Sequence, residues 1–400
     1  MVYLDHAATT PLHPEVIKVM SETMQTFFGN PSSIHHYGRD AHTQLELARQ
    51  AIAQQLGVKE HEIIFNSGGT ESDNTAIIGT ALSKQAQGKH IITTQIEHPA
   101  VIESMRYLEG LGFEVTYLPV DQKGQLAVSE VEAALRPDTI LVSIMTANNE
   151  TGNLLPIAEI GALLREHPAV FHTDAVQAYG KIPLEINENS IDLLSISAHK
   201  INGPKGIGFL YKRDGLSLPA LLHGGEQEEK RRAGTENLAA IMGMAKAASL
   251  HTPEAQQAAA EQYQTFADVL METLAAQGVD VQLNGDPAHK LPHILNLRFP
   301  GVSSDLLLMK LDLKGAAIST GSACTAGNVE PSHVLEAMVG KEHPAIRESV
   351  RVSFGYGNTL AEIEAFAQLL AETVLATTIT SHKVIFRLYF LTNEFENILV

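Results

Sequence analysis

The sequence predicts an α/β protein. A large domain is built on a mostly parallel sheet flanked by helices, and a smaller α+β domain accompanies it. Three observations carry this prediction. Short apolar segments of strand length recur between residues 62 and 211, helical patterns separate many of them, and after about residue 250 that alternation gives way to a long helix and more widely spaced strands.

The strand candidates are Glu62–Asn66, His90–Ile96, Glu114–Val120, Thr139–Thr146, Ala169–Asp174, Leu193–Ala198 and Gly206–Tyr211. Helical patterns cover 71–87, 99–111, 128–136 and 156–166. Strands alternating with helices indicate a sheet covered on both faces, whose strands read as continuous apolar runs. Farther along, 254–277 reads as helix, since its Ala and Gln residues are good helix formers. Strands are expected at Val279–Leu283, His293–Phe299 and Ser349–Phe354, with helices at 304–313 and 360–376. The division predicted is 15–253 for the large domain, with 1–14 and 254–400 for the smaller one. The segment 377–400 is atypical: it is β-branched and aromatic where the preceding helix is rich in Ala and Leu, and Lys383 and Arg387 interrupt its apolar core.

Composition narrows the function. Apolar residues make up 44% and charged residues 18%, an ordinary balance for a water-soluble globular chain. A net charge of -18 argues against direct nucleic-acid binding, which needs Lys and Arg to neutralise phosphates. One cysteine, Cys324, cannot make an internal disulfide or a thiolate metal cluster. The opening MVYLDHAATTP carries Asp5 and no basic-then-apolar stretch, so no signal peptide is expected. No apolar run approaches the roughly 18 residues of a spanning helix. A cytoplasmic location and no membrane partner are expected.

Six segments carry chemistry. In Ser195–Gly208 an apolar strand ends in Ser197, His199 and Lys200 and enters a Gly/Pro-rich turn. Strand ends are where α/β sheets hold ligands, and a lysine there can form a Schiff base with a carbonyl cofactor; the alternative is a surface lysine in a turn. In Asn66–Asn74 a strand runs into Gly68 and Gly69 before a helix begins, and free N–H groups there, with the Thr70 hydroxyl, suit a phosphate. It could equally be an ordinary capped turn. Asp174, at a strand end, can pair with a protonated pyridine nitrogen, and Gln177 can hydrogen-bond a ring oxygen. Asp174 could instead cap a turn. His98 closes another strand, where an imidazole can stack on a ring and move protons, although the chain has 18 histidines. Cys324 lies in a run of small residues, as a nucleophile on a mobile loop or as a small buried residue. Arg351, within the alternation Ser349–Gly355, can clamp a carboxylate or face solvent. Together these form an inventory for pyridoxal 5'-phosphate (PLP) acting on an amino acid whose side chain is a thiol.

The chain also resembles a known family. YLDHAATTP, GNPSSIHHYGR, SGGTESDN, EHPAV, NNETG, HTDAVQA, SAHKINGPKG, RRAGTEN, TGSAC and RVSFG occur in order from Tyr3 onward, and the likeness runs to about Thr373. This pattern is similar to the cysteine desulfurases, the NifS/IscS-like group of class V aminotransferase-type PLP enzymes of fold type I.

The resemblance implies conversion of L-cysteine to L-alanine, with sulfur held as a persulfide on Cys324. An acceptor would then take it for iron–sulfur cluster assembly or tRNA thiolation. It implies that Lys200 holds PLP, His98 stacks on the ring, Asp174 partners the pyridine nitrogen and Gln177 the ring oxygen. Gly69, Thr70, Ser197 and His199 would hold the phosphate, Thr235 would reach the phosphate of a neighbouring subunit in a homodimer, and Asn149 and Arg351 would bind the substrate carboxylate. No metal is required for that reaction. A selenocysteine lyase or another class V PLP enzyme is the alternative, although a transaminase would need no thiol. Two departures stand out: Glu229 occupies a place where relatives often carry arginine, and the ending after about Thr377 is unlike the family's.

Overall fold

The computed structural model describes residues 1–321, 324–325, 328–329 and 331–377, with the backbone alone described at 324, 325, 328 and 329. The chain opens with β1 (Val2–Tyr3), α1 (Pro14–Thr26) and α2 (His36–Leu56). Seven strands follow: β2 (Ile63–Asn66), β3 (His90–Thr94), β4 (Glu114–Leu118), β5 (Thr139–Ser143), β6 (Val170–Asp174), β7 (Leu193–Ser197) and β8 (Gly208–Lys212). They form one sheet in the order β2-β8-β7-β6-β5-β3-β4. The pairs from β7 through β4 are parallel, and β8 runs antiparallel to both its neighbours. The C-terminal ends of β2, β3, β5, β6 and β7 therefore share one edge with the turn that enters β8.

Helices α3 (Gly69–Lys84), α4 (Pro99–Gly110), α5 (Val128–Ala134) and α6 (Ile157–Leu164) make the crossovers, and α7 (Leu238–Ser249) packs beside α1 and α2. Strands β2, β3, β5, β6 and β7 are buried at every position. Helices cover both faces, so these strands carry no polar side, as their apolar runs predicted.

Helices α1, α2 and α7 are absent from the sequence expectation. α2 shows why: its buried stripe is Gly38, Ala41, Leu45, Ala48, Arg49, Ile52, Ala53 and Leu56, half of it glycine and alanine, with an arginine among them. That stripe has the helical period but little apolar contrast.

The second unit starts with α8 (Pro253–Ala276). Strands β9 (Gln282–Asn284) and β10 (Ile294–Arg298) precede α9 (Ser304–Leu313), β11 (Ala316–Ala317) and the hairpin β12 (Cys324–Thr325) with β13 (Asn328–Val329). Then come α10 (His333–Val339), α11 (Ala345–Glu348), β14 (Ser349–Ser353) and a helix over 360–377. β14, β10 and β9 form an antiparallel sheet in that order. The N-terminus joins this unit: β1 pairs with β11, Asp5 bridges Ser353, and Leu4 is buried in a core with Phe266, Leu297, Phe299, Phe354 and Phe366. α10 leans the other way, burying Val334, Leu335 and Met338 in the large core despite lying far beyond residue 253. The atypical segment lies outside the described residues from 378 onward.

Candidate active site

Lys200 sits one short turn beyond β7, in the 3-10 segment Ala198–Lys200. The approach of strands behind it leaves no room for a side chain at Gly208. A Cβ there would lie 2.3 Å from the Ile196 carbonyl oxygen and 2.7 Å from Gly68 Cα. That contact fixes the β7–β8 turn against the start of α3. Lys200 Nζ donates to the carbonyl oxygens of Ala7 and, at 2.9 Å, Ala8. Burial and the Arg351 guanidinium push its pKa down to about 8, with Asp174 and Asp5 opposing. A half-buried lysine so placed reaches the free-amine form at modest cost.

Asp174 ends β6 and is 7% exposed, with Oδ1 accepting the Val176 N–H at 2.9 Å. Burial raises its pKa, and His98 and Lys200 pull it back. His98 caps α4, its Nδ1 accepting the Ala100 N–H at 3.1 Å. That bond places the proton of the neutral ring on Nε2. Burial lowers the His98 pKa, opposed by Asp174 and assisted by Lys200 and His333. Polar atoms of Asp73, His98 and Asp174 all lie within 4.8 Å of one another. Gln177, on the turn after β6, donates from Nε2 to the Ala7 carbonyl at 3.0 Å. The Ala7 carbonyl thus accepts from both Gln177 and Lys200.

A cleft of about 400 Å³ opens at the start of α3. Gly69, Thr70, Ser197 and His199 line it together with Thr9 and Gly206. Gly68 precedes the helix with φ 140°, and α3 begins at Gly69, so its first N–H groups have no helical carbonyl behind them. A Cβ at Gly69 would stand 2.9 Å from Val176 Cγ2. His199 Nδ1 lies 3.1 Å from Thr9 Oγ1, and burial with Lys200 brings its pKa down to about 4, which favours the neutral ring. Thr235 stands apart: it is exposed and lines an adjoining pocket with Ser67, Gly206 and Arg232.

Arg351 lies in β14, 3% exposed, donating to the Asn149 carbonyl and to Asp5 Oδ1, each at 2.8 Å. Its Nε is buried with no partner among the described residues. Asn149 therefore meets Arg351 through its backbone oxygen. Ser319 forms an antiparallel bridge with Arg351, so the chain leading towards Cys324 starts beside β14. Glu150 touches both ends of that loop. Its side chain accepts the Ser332 hydroxyl, and a Cβ at Gly321 would lie 3.2 Å from its Cγ. The Cys324 thiol lies outside the described residues.

The sequence reading missed several groups. Asp73, Glu97 and His172 are buried behind Asp174. Only their motifs hinted at them: Asp73 in SGGTESDN, Glu97 before His98, and His172 two residues before Asp174. Glu229 turns its side chain to solvent, 3.3 Å from Arg231, while the neighbouring Glu228 is the buried one.

Comparison with known proteins gives the family. The aminotransferase class-V family model matches residues 2–366. An IscS-type protein of Bacillus subtilis is 52% identical over 94% of this chain and 99% of its own. The cysteine desulfurase IscS of Methanosarcina thermophila is 47% identical over 93% of this chain and 92% of its own. Among solved structures, a NifS-like protein superposes with a TM-score of 0.87 at 35% identity, covering 93% of this chain and 98% of its own. A structure titled SspA in complex with cysteine gives 0.78 at 36% identity, covering 88% and 99%. The chain belongs to the aminotransferase class-V family of PLP enzymes. Within it, the chain stands with the cysteine desulfurases. The residues fit that cofactor: an amine with a depressed pKa lies beside a buried carboxyl group, Gly69 leaves the α3 N-terminus open, and Arg351 Nε is buried with no partner among the described residues.

Proposed function

We propose that this enzyme converts L-cysteine to L-alanine with PLP and keeps the released sulfur on Cys324 as a persulfide. The observation that carries the reading is the convergence of Lys200, Asp174, His98 and Arg351 at one edge of the β2–β8 sheet, each from a different element. Bound there, PLP supplies an aldehyde carbon and an electron-withdrawing ring.

Lys200 would hold the cofactor through its amine, and that amine is placed to move the proton of the substrate Cα. Asp174 would keep negative charge against the ring nitrogen, His98 would stack on the ring and Gln177 would hydrogen-bond the ring oxygen. Gly69, Thr70, Ser197 and His199 hold the phosphate. Arg351 binds the substrate carboxylate with its free Nε facing the anion, and Asn149 borders that site. The Cys324 thiolate attacks the substrate sulfur. The sulfur–carbon bond breaks, the carbon gains a proton and leaves as alanine, and the enzyme thiol becomes a persulfide, so atoms and electrons balance without a further oxidant.

Sulfur then passes to an acceptor protein, an iron–sulfur scaffold or a tRNA-thiolating enzyme. The enzyme acts as a homodimer in the cytoplasm, with Thr235 reaching the partner's phosphate site. The exposed Phe28, Ile34 and Tyr37 suit a covered surface better than a free one. Among the described residues, no helix is long and apolar enough to cross a membrane. We place the large cofactor-binding domain at 15–253 and the smaller one at 1–14 and 254–400.

A brief reaction with cysteine tests this. The peptide carrying Cys324 gains one sulfur by mass and loses it to a thiol reductant. Cys324→Ser keeps the cofactor's visible absorbance but stops sulfur release, because a hydroxyl is a poor sulfur acceptor. Alanine and sulfide at the wild-type rate from Cys324→Ser excludes transfer to this residue.

A further inference from the structure

Three carboxyl groups crowd together behind the proposed ring site. Asp73 comes from α3, Glu97 from the turn after β3, and Asp174 from the end of β6; they are 1%, 0% and 7% exposed. Carboxyl oxygens of Asp73 and Asp174 lie within 4.8 Å of each other. Three negative charges cannot share a dry pocket of this size unless cations match them.

The basic groups face only one of the three. His98 and Lys200 both favour charge on Asp174, which also accepts the Val176 N–H. Asp73 has no such neighbour, and its Oδ1 has no hydrogen-bond partner. The nearest basic group is His172, whose Nε2 stands 3.6 Å from that oxygen. His172 is no cation: its two ring nitrogens meet Ser143 Oγ at 2.8 Å and Ser195 Oγ at 2.9 Å, and burial drives its pKa down to about 3. Glu97 accepts the Thr94 hydroxyl at 2.7 Å and the Met145 N–H at 3.0 Å on Oε1, while Oε2 is buried without a partner. Burial raises the pKa of both, with the charge of Asp174 adding to it; a hydrogen bond from Ser195 opposes the rise at Asp73, and those from Thr94 and Met145 oppose it at Glu97, which still reaches about 8.

We propose that Asp73 and Glu97 are neutral carboxylic acids in the folded enzyme and that Asp174 is the only carboxylate of the three. They act as positioning residues. By staying uncharged they leave the negative charge on the oxygens that face the cofactor's ring nitrogen. The significance for catalysis rests on the reading of Asp174 given above; the assignment of charges does not.

Infrared spectra of the holoenzyme at neutral pH test the assignment. The wild type shows protonated-carboxyl stretches that shift in heavy water. Asp73→Asn removes one, Glu97→Gln removes another, and the Glu97 signal fades as pH rises through about 8. Glu150 is also a buried carboxyl with a raised pKa and keeps its own stretch, so the overturning result is a spectrum in which neither substitution removes a band. Wild-type protein with isotope-labelled aspartate carboxyl carbons gives the same test without a variant: one aspartate beyond the acid-titrating set stays protonated at neutral pH, and finding none overturns the proposal.

Stability supplies a second readout. A buried acid with a raised pKa stabilises the fold fully below its unfolded pKa, and that contribution is lost as pH rises towards the folded pKa. Asp73→Asn therefore flattens the fall of thermal midpoint between acidic and mildly alkaline pH, and an unchanged slope counts against the assignment. The visible spectrum of Asp174→Asn tests the ring-partner reading separately, so the two ideas fail independently.

Discussion

Two turns flank the proposed cofactor cleft, and they solve the same backbone problem differently. After β7, the turn 198–206 places its left-handed residues at Asn202 (φ 62°) and Gly206 (φ 74°), types that tolerate that region. The segment 226–237, which carries Thr235, has three successive side-chain-bearing residues there: Glu228, Glu229 and Lys230, with φ of 49°, 54° and 66°. Such residues disfavour this region. The second turn is held by a buried clamp instead. Glu228 Oε2 and Oε1 accept Arg49 Nη1 at 2.7 Å and Nη2 at 2.8 Å, and Oε2 also accepts the Phe65 N–H at 3.0 Å. One turn is shaped by local preference, the other by a distant side chain on α2.

The largest expected effect belongs to the first turn. Lys200→Ala should abolish turnover, because its amine is the one beside Asp174 at the strand end, whereas Lys205 lines the adjoining cleft. Borohydride trapping followed by peptide mass checks this, and label on Lys205 moves the site to the wrong lysine. The wild type adds a pH test. Since the folded pKa of Lys200 is lowered to about 8, the free amine grows as pH rises through that value. Recovery of visible absorbance when PLP is returned to the stripped protein should quicken from neutral to mildly alkaline pH and level off above it. A rate that falls over that range is inconsistent with a depressed lysine.

Stability, not chemistry, should report on the second turn. Glu228→Ala leaves the Arg49 guanidinium buried without its main partner, and breaking a buried pair in this way costs about 3–5 kcal/mol. Denaturant unfolding of the holoenzyme checks the figure. A loss below about 1 kcal/mol means that the pair is exposed to solvent screening and does not clamp the turn.

The contrast also explains what the sequence disclosed. The central strands of the large sheet read directly because they are apolar runs, and β2, β6 and β7 end in the polar residues where the sheet presents its chemistry: Asn66 before Gly68, Asp174, and Ser197 before Lys200. Arg351 is legible for a related reason, as a charge set inside valines. What was hidden depends on contacts far apart in sequence. Arg49 looks like a solvated helix residue until Glu228 arrives 179 positions later. Asp73 and Glu97 look like polar helix-start residues until the fold brings Asp174 beside them. α2 hides its packing face because alanine contributes little apolar signal, while Phe65 stacks under the Arg49 guanidinium at 4.8 Å.

The smallest predicted effect sharpens the comparison most. If the clamp, rather than local preference, sets the conformation of 228–230, then removing a side chain that opposes it should help the fold. Lys230 is the place to try this. Its φ is 66°, and its ammonium is held 2.9 Å from Glu226 by a pair whose side chains are 71% and 82% exposed, worth little in water. Glycine adopts that backbone without the Cβ clash, which for other residues costs roughly 1–2 kcal/mol. Its greater freedom in the unfolded chain takes back part of the gain. Lys230→Gly should therefore stabilise the holoenzyme by about 1 kcal/mol or less, read as a small rise in denaturant midpoint at unchanged slope. In a Glu228→Ala background, where the clamp no longer enforces the left-handed turn, the same substitution should gain less. Equal gains in both backgrounds mean that the left-handed run persists without the carboxylate, and the buried pair then anchors α2 to β2 rather than shaping the turn.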